Sequence, residues 1–414
     1  MVGAENIPSG KPVILVSNHP SAFMDPLVLG IFVPRELYFF ARADIFTSKF
    51  VNWITEKAHM SPIYRIVDGA DSLEKNEAVF AHGYNLLFEN KVLLLFGEGV
   101  TDEEFVRRVK TMKKGSMRIA LGAESKFDFK LGVNIICAGI NYSDPRKFRS
   151  DLLISFSKPI EVRDYKNLFL EHNNKGMLEL NKEIYSRLKE QIIHIENPEN
   201  TELLEQLLIV TRKGINNEYY DENIPLEKRW GFSKILSEKI NSLSQEKIYN
   251  LKEKTNEYFN KIKNLKVQKN KDWKFSSLLF LLFTFPVFIF GTLNNYLPIK
   301  LATFFSRKIS KRPVFWSGTD MAFSIITVPV YYFIAITIFQ SAGNFSSVQI
   351  QLFAALIYLI SMPLSGIFAF NYVKVFSNFS EKIKSQKILK EKKKEAEKLS
   401  ELRNSILEDV KNLF

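Results

Sequence analysis

A histidine and an aspartate stand six positions apart near the beginning of this 414-residue chain, directly after a short apolar run at residues 13–16. Positions six apart lie about 240° around an α-helix, so His19 and Asp25 do not share a helical face. Pro20 and Pro26 indicate that a helix begins only at Asp25, which is then its N-cap. The pattern predicts a turn that brings the imidazole to the carboxylate, as in a general base and the acid that orients it.

The elements that must position this pair alternate between strand-like and helix-like segments over about the first 160 residues. Such alternation is typical of an α/β layer structure. Several apolar runs are continuous, as in strands that are buried on both faces. We expect strands at 13–17, 37–41, 62–67, 91–96, 133–138 and 152–156, and helices at 71–89 and 113–122.

A second group of candidate residues follows the apolar run 92–96, which is predicted to be another buried strand. Gly97, Glu98 and Gly99 come at its carboxyl end, where open α/β sheets place ligand sites. The two glycines would let the backbone approach a ligand closely. Glu98 is expected to hold the ligand or the loop by hydrogen bonds, and a plain turn is the structural alternative.

Basic residues occur where a phosphorylated substrate would need them. Arg65 offers a planar, permanently charged guanidinium that suits a phosphate, or else forms a surface ion pair. A basic cluster follows the Glu98 loop and predicts either an anion-binding surface or a solvated helix face. Its members are Arg107, Arg108, Lys110, Lys113 and Lys114. We select Lys113 and Lys114 as candidate substrate-binding residues.

The composition narrows the class of partner. With 57 Lys and Arg against 45 Asp and Glu, the formal net charge of +12 implies an anionic partner. The sequence shows no nucleic-acid fold signature and no zinc-ligand spacing, whereas long apolar segments are present. We therefore expect phosphate and an anionic membrane rather than nucleic acid. Cys137 is the only cysteine, so we predict neither an internal disulfide nor a thiolate metal site.

The chain changes character after the predicted sheet. Residues 165–274 are rich in Lys, Glu, Asn and Leu at helical spacing, which predicts an amphipathic helical extension. Lysines crowd its end and predict either attraction to anionic headgroups or a solvated face. They are Lys261, Lys263, Lys266, Lys269, Lys271 and Lys274.

Two apolar runs follow, within which residues 275–299 and 321–372 carry no charge. A helix of about 20 apolar residues crosses a bilayer, so residues 321–373 are long enough for a transmembrane hairpin with its link near 341–344. Residues 275–305 contain Pro286 and Gly291 and have basic flanks on both sides. Because basic flanks stay in the cytoplasm, we expect a re-entrant or broken hairpin there, with three simple crossings as the alternative.

Four short segments of the sequence, in the same order along the chain, resemble the motifs of the glycerolipid acyltransferases of the lysophosphatidate acyltransferase (PlsC-like) superfamily. They are residues 18–26 with His19 and Asp25, residues 62–65 with Arg65, residues 96–99 with Glu98, and residues 135–142. Five residues rather than the family's commoner four separate the histidine from the aspartate. This spacing is similar to a subgroup of glycerol-3-phosphate and dihydroxyacetone-phosphate acyltransferases. Gly97 stands where the family usually has proline.

The resemblance implies a fold and an activity. The fold is a mixed, mostly parallel sheet flanked by helices. The activity is transfer of an acyl chain from an acyl thioester, acyl-CoA or acyl-carrier protein, to glycerol-3-phosphate or 1-acylglycerol-3-phosphate. His19 would take the proton of the attacking hydroxyl, Asp25 would orient the imidazole, and Arg65 would bind the acceptor phosphate. No metal or bound cofactor is implied.

Two further functions stay open from the sequence. One is an acyltransferase for another lysolipid or an amino-acid lipid, and the other is a non-catalytic membrane scaffold that retains the fold. We expect four regions: a catalytic domain at 1–164, the helical extension at 165–274, a membrane region at 275–375 and a basic amphipathic tail at 376–414. The expected location is a membrane crossed several times, with the catalytic domain on its cytoplasmic face.

Overall fold

The chain forms two compact units in a computed structural model that describes residues 1–64, 72–99, 105–216, 219–265 and 275–414. The first unit is Met1–Leu243 and the second is Ser244–Phe414. The first holds a sheet with helices on both faces. The division falls inside the expected extension 165–274, because the helices that follow the sheet pack onto it.

Strands and helices alternate in the first unit. The strands are β1 (Val13–Ser17), β2 (Leu37–Arg42), β3 (Met60–Ile63), β4 (Val92–Phe96), β5 (Asn134–Tyr142), β6 (Leu152–Phe156) and β7 (Ile160–Glu161). The helices are α1 (Met24–Phe32), α2 (Lys49–Lys57), α3 (Ser72–Phe88), α4 (Gly115–Lys126), α5 (Lys166–Glu171), α6 (Asn173–Gln191), α7 (Thr201–Thr211) and α8 (Leu226–Ser242).

The sheet confirms the predicted fold class, mixed and mostly parallel with flanking helices. Its strand order is β3-β2-β4-β1-β5-β6, and β7 pairs with β5 beside this path. The first five strands run parallel to their neighbours, whereas β6 and β7 run antiparallel to β5. Ser17 at the end of β1 lies opposite Phe96 of β4 and Ala138 of β5. The loops that follow β1 and β4 therefore begin side by side, at the carboxyl ends of the parallel strands.

Strand β1 is an uninterrupted apolar run because both of its faces are covered. Ile14 and Val16 belong to the core on one face of the sheet. Val13 and Leu15 belong to the core on the other face, together with Leu29 of α1. Side chains of a strand alternate between the two faces, so each face receives every second residue.

Helix α6 completes the first of these cores. Four of its apolar side chains, Met177, Leu180, Ile184 and Leu188, are buried there, at the spacing of one helical face. The segment that the sequence assigned to a separate helical extension therefore shares its core with the sheet.

The second unit consists of helices in the part that the structure describes. They are α9 (Gln245–Leu265), α10 (Phe275–Ile309), α11 (Trp316–Ala342), α12 (Val348–Glu391) and α13 (Lys393–Lys411). Three of them are long and apolar enough to cross a membrane, over Leu278–Ile309, Pro313–Ala342 and Val348–Ile388.

The re-entrant or broken hairpin predicted for 275–305 is not formed, because α10 is one continuous helix of 35 residues. The helix continues through Pro286, as helices surrounded by other helices in membranes often do. Gly291 is a place of close packing rather than a break. A Cβ atom there would lie 2.1 Å from the carbonyl oxygen of Ser365 on α12, so the missing side chain lets the two helices approach.

Two asparagines of α10 form hydrogen bonds to the other two apolar helices, α11 and α12. The Asn295 amide donates to the carbonyl of Met362 on α12 at 2.9 Å, and its oxygen accepts from the Tyr332 hydroxyl of α11 at 2.6 Å. Asn294 accepts from the Tyr358 hydroxyl of α12 at 2.8 Å. Polar side chains in apolar surroundings need such partners, so these bonds align α11 and α12 against α10.

Helices α11 and α12 consequently run in the same direction. Along α11, Asp320 meets Arg307 and Tyr332 meets Asn295, so α11 is antiparallel to α10. Along α12, Tyr358 meets Asn294 and the Tyr372 hydroxyl meets the carbonyl of Leu281, so α12 is also antiparallel to α10. The two helices of the hairpin predicted for 321–373 would be antiparallel to each other, and the observed arrangement differs from it.

The helices that flank the apolar segment meet each other. Helix α13 packs on α9. The Lys254 ammonium of α9 donates to the Ser405 hydroxyl at 3.2 Å and pairs with Asp409, both on α13. Helices joined in this way must lie on the same side of a membrane.

This contact yields a topology prediction. We expect cysteines placed at the exposed positions Asn264 and Ser400 to react with an impermeant maleimide from the same side of sealed vesicles. Cys137 gives no background, since burial raises the pKa of its thiol to about 12 and only a thiolate reacts. Labelling of positions 264 and 400 from opposite sides would contradict the α9–α13 packing.

Candidate active site

The loop between β1 and α1 makes the turn that the sequence predicts. It passes through Ala22, whose φ of 41° lies in the left-handed region that non-glycine residues seldom adopt. Helix α1 begins at Met24 with Phe23 as its N-cap, so the expectation that Asp25 caps the helix is wrong. The carboxylate of Asp25 turns back to the loop instead, where it accepts from the backbone N–H of Ser21 at 2.7 Å.

His19 and Asp25 are in direct contact. Nδ1 of His19 lies 2.8 Å from Oδ2 of Asp25, whose side chain is fully buried, while the imidazole is 18% exposed. An ionised carboxylate only accepts hydrogen bonds, so Nδ1 carries the proton and Nε2 is left able to accept one. The imidazole also stacks on Phe96, with ring centroids 4.0 Å apart and planes 16° apart, which fixes its orientation.

Burial raises the pKa of the Asp25 carboxyl above its usual value. Hydrogen bonds from His19, Ser21 and Tyr142 act in the opposite sense but are the smaller effect. The Tyr142 hydroxyl, at the end of β5, donates to Oδ1 of Asp25 at 3.1 Å. Each of the two carboxyl oxygens therefore has a donor, as a buried charge requires.

Asn18 extends the sheet by one residue at the point where β1 ends. Its side-chain amide donates to the carbonyl of Ile140 at 3.0 Å, and its side-chain oxygen accepts from the Ile140 N–H at 2.8 Å. The side chain thus replaces a backbone pair of the β1–β5 ladder. This pairing holds the residue before His19 against β5, which also carries Tyr142.

Glu98 links the His19 loop to the loop that follows β4. Its side chain is 2% exposed, accepts from the Lys110 N–H at 3.2 Å and lies 3.6 Å from the Lys110 ammonium. It also accepts from the backbone N–H of His19. Burial raises the pKa of Glu98, and these partners oppose the rise. Its observed contacts hold the two loops together.

The two predicted glycines have different surroundings. Gly99 has a φ of +68°, a left-handed turn that glycine adopts without strain. Gly97 faces Met112, whose terminal carbon would lie 2.1 Å from an added Cβ. Among the described residues, neither glycine lines the two cavities beside His19 and Glu98. In this structure the space beside Gly97 is therefore filled by Met112 rather than open to a ligand.

The cationic residues predicted to bind substrate differ in their surroundings. Lys113 lines a cavity of about 630 Å³, together with Glu98, Arg108 and Lys110. Lys114 is exposed at the N-cap of α4 and does not line that cavity. Arg65 lies outside the described residues, so its predicted role in binding phosphate stays a prediction.

Arg107 is buried, so it stabilises the fold and does not belong to a solvated helix face. Its guanidinium donates to the carbonyls of Tyr142 at 2.9 Å and Ser143 at 3.1 Å, and it pairs with Glu205 of α7. The neighbouring residue Val109 donates its N–H to Nδ1 of buried His194 at 3.0 Å. Burial lowers the pKa of His194, which keeps this nitrogen free to accept. The loop that carries Lys110 and Lys113 is thus fixed from both sides.

Two residues of the site, Asn18 and Tyr142, have no direct signal in the sequence. Tyr142 is the last residue of the fourth motif segment, and Asn18 is the residue before His19. Both stand at strand ends beside the His19 loop, so the parallel pairing of β1 with β5 was the one clue available. Among the described residues, no group of three or more His, Cys, Asp or Glu side chains is placed to hold a metal ion.

The chain is similar in sequence to known acyltransferases. Residues 1–141 match the family model described as Acyltransferase. Over 117 residues the chain is 25% identical to 1-acyl-sn-glycerol-3-phosphate acyltransferase of Bacillus subtilis (strain 168), a match that covers 28% of this chain and 53% of that protein. The chain therefore spans about half the length of this curated relative.

The chain also aligns with a solved structure, the crystal structure of the 1-acyl-sn-glycerophosphate (LPA) acyltransferase, PlsC, from Thermotoga maritima. That alignment has a TM-score of 0.28 and 20% identity, and it covers 43% of this chain and 70% of that chain.

Residues 1–141 are therefore similar to the acyltransferase family. The curated relative, the four motif segments and the observed sheet support a domain of the PlsC-like glycerolipid acyltransferase type.

Tyr142 yields a prediction about pH dependence. Replacing Tyr142→Phe removes a donor that lowers the Asp25 pKa, so this pKa should rise further. A hydrogen bond to a charged group contributes about 1.5–3 kcal/mol, which corresponds to a shift of about one to two pH units. We expect the acid limb of the pH–rate profile to move upward by that amount.

The control for this prediction is Tyr38→Phe, which removes a hydroxyl that donates at 3.2 Å to the exposed carboxylate of Glu36. It should leave the acid limb in place. A Tyr142→Phe profile that coincides with that of the parent protein would show that the Tyr142 bond does not influence Asp25.

Arg107 yields a prediction about stability. Replacing Arg107→Met leaves Glu205 and two carbonyls without their donor, and loss of one partner of a buried pair costs about 3–5 kcal/mol. The melting temperature in detergent should fall by several degrees and recover in part in the Arg107→Met, Glu205→Leu double variant. Exposed Lys114→Met is the matched control, and an equal loss in both single variants would contradict the assignment.

Proposed function

We propose that the protein transfers an acyl chain from an acyl thioester to a hydroxyl of a phosphorylated glycerol, either glycerol-3-phosphate or 1-acylglycerol-3-phosphate. The observation that carries this proposal is the 2.8 Å contact between His19 and the fully buried Asp25, inside the segment that matches the acyltransferase family. The proposal is supported by the similarity of the chain to a 1-acyl-sn-glycerol-3-phosphate acyltransferase, whose name states that acceptor.

The proposed chemistry needs only a positioned base. Nε2 of His19 takes the proton as the acceptor oxygen attacks the thioester carbonyl, and Asp25 stabilises the resulting imidazolium. The carbon–sulfur bond breaks when the carbonyl re-forms, and the proton passes from His19 to the leaving thiolate. An ester and a free thiol are the products. The reaction forms no covalent acyl-enzyme and needs neither metal nor bound cofactor.

The cavity beside Glu98 supports a phosphorylated acceptor. Arg108, Lys110 and Lys113 line it, and cations at this place would attract a phosphate. Glu98 also lines the smaller pocket that contains His19, so one side chain borders both spaces. The five-residue spacing between His19 and Asp25 favours glycerol-3-phosphate, whereas the curated relative favours its 1-acyl derivative, and both stay within the proposal.

We further propose that the protein is a multi-pass membrane protein whose catalytic unit faces the cytoplasm. The three long apolar helices support membrane association. The α9–α13 contact supports placing the two ends of the apolar segment on the same side of the membrane. The lysine-rich sequence on both sides of that segment supports the cytoplasmic side.

An acceptor panel tests the proposed activity. The full chain, purified in detergent, would receive acyl-CoA or acyl-carrier protein with glycerol-3-phosphate, 1-acylglycerol-3-phosphate or other lysolipids. We expect thiol release with one of the two glycerol phosphates, and a fall in kcat of about 10³-fold for His19→Gln, because general-base catalysis contributes about 10²–10⁴-fold.

The matched control is His82→Gln, which changes an exposed histidine on α3. It should keep the parent rate. Equal turnover by the His19→Gln and His82→Gln proteins would refute His19 as the base. Turnover with unphosphorylated acceptors alone would refute the acceptor class.

A further inference from the structure

Helices α1 and α2 carry several large apolar side chains that are exposed. Ile31 is 74% exposed, Phe50 is 69% exposed and Trp53 is 57% exposed. Elsewhere among the described residues of the first unit, exposed large apolar side chains are scattered along the chain. The exposed apolar side chains of the two helices form the α1–α2 patch, which consists of Phe23, Leu27, Ile31, Phe32, Phe50, Trp53 and Ile54. Apolar patches on a protein surface often mark an interaction site.

Both helices lie on one face of the sheet. Along the strand order, β1 to β2 and β2 to β3 advance toward the same edge. Crossovers between parallel strands are right-handed in nearly all proteins, so two crossovers that advance in the same direction lie on the same face. The inner side of α1 packs through Val28 and Leu29 on the core of that face. The patch is the outer side of the same layer.

The charge pattern of the patch fits a lipid surface. The only charged residue of α1 is Asp25, which is buried, so the outer side of α1 is apolar throughout. Helix α2 has exposed lysines, Lys49 and Lys57, at its two ends, one exposed acid, Glu56, beside Lys57, and buries only Thr55. Aromatic and aliphatic side chains bordered by lysines are typical of helices that lie in the interface of an anionic membrane.

We propose that the α1–α2 patch docks on the surface of an anionic phospholipid membrane. The inference deepens the proposed function, because it names the surface through which the acyltransferase domain would meet its lipid. The described residues include three helices that are apolar enough to cross a bilayer, which supports a membrane as the partner of this patch. Leu27 follows Asp25 by two residues, and docking would hold the His19 loop at the level of the headgroups.

The test measures membrane contact without requiring activity. The environment-sensitive dye NBD would be attached to the full chain at Ile31→Cys or Phe50→Cys, in vesicles of equal parts phosphatidylcholine and phosphatidylglycerol. Side chains of an interfacial helix reach about 5–10 Å into the lipid. We expect doxyl-labelled lipid to quench the dye at both positions, and less strongly in vesicles of phosphatidylcholine alone.

The matched control is Leu170→Cys on α5, which is 60% exposed. Its neighbour Phe169 packs on the core of the opposite sheet face. Quenching at positions 31 and 50 that is no stronger than at 170 would overturn the proposal. It would also be overturned if these positions were shielded from lipid and cross-linked to a second copy of the chain or to its own second unit. Equal quenching in neutral vesicles would overturn the anionic preference.

A kinetic measurement tests whether the α1–α2 patch contributes to the proposed activity. Ile31→Glu should raise the KM for vesicle-bound 1-acylglycerol-3-phosphate about tenfold, since a buried charge weakens membrane contact, with a smaller effect on kcat. Leu170→Glu should change neither constant. Equal KM values for Ile31→Glu and the parent would overturn the role of the patch. If the parent itself shows no acyl transfer, the proposed function fails while the quenching result still decides the docking surface.

Discussion

The burial of the Asp25 carboxylate away from water is the constraint on which the arrangement of the site in the first unit depends. Asp25 is buried completely, and such a group is tolerated only when its oxygens are supplied with donors. The donors come from His19 and Ser21 in the loop after β1 and from Tyr142 at the end of β5. The pairing of β1 with β5, the left-handed turn at Ala22 and the start of α1 must therefore all be in place before the imidazole is oriented.

The topology of the sheet explains why the site lies where it does. β1 and β4 are neighbours, yet β1 continues toward β2 and β4 continues toward β5, in opposite directions along the sheet. Loops that separate in this way leave a crevice at the carboxyl ends of the strands. Glu98 bridges the crevice by accepting from the backbone of both His19 and Lys110. The same carboxylate thus borders the base on one side and the cation-lined cavity on the other.

Structure that a local pattern determines is predictable from this sequence, whereas structure that depends on a distant partner is not. The apolar runs of β1 and β4 are clear in the sequence because both faces of these strands are buried. Pro286 and Gly291 predict a break, but the surroundings of Gly291 are set by α12, which lies more than 60 residues further along the chain. The contact between Tyr142 and Asp25 joins residues 117 positions apart, so spacing alone could not reveal it.

The contribution of α6 to the core bears on where the folding unit ends. The family match stops at residue 141, but Met177, Leu180, Ile184 and Leu188 cover one face of the sheet. A fully buried apolar side chain contributes about 1.5–3 kcal/mol, so these four together are comparable with the net stability of about 5–15 kcal/mol of a whole domain. The segment that matches the acyltransferase family therefore lacks a helix that covers part of its own core. A fragment that ended at residue 141 would expose those apolar side chains of the sheet to water.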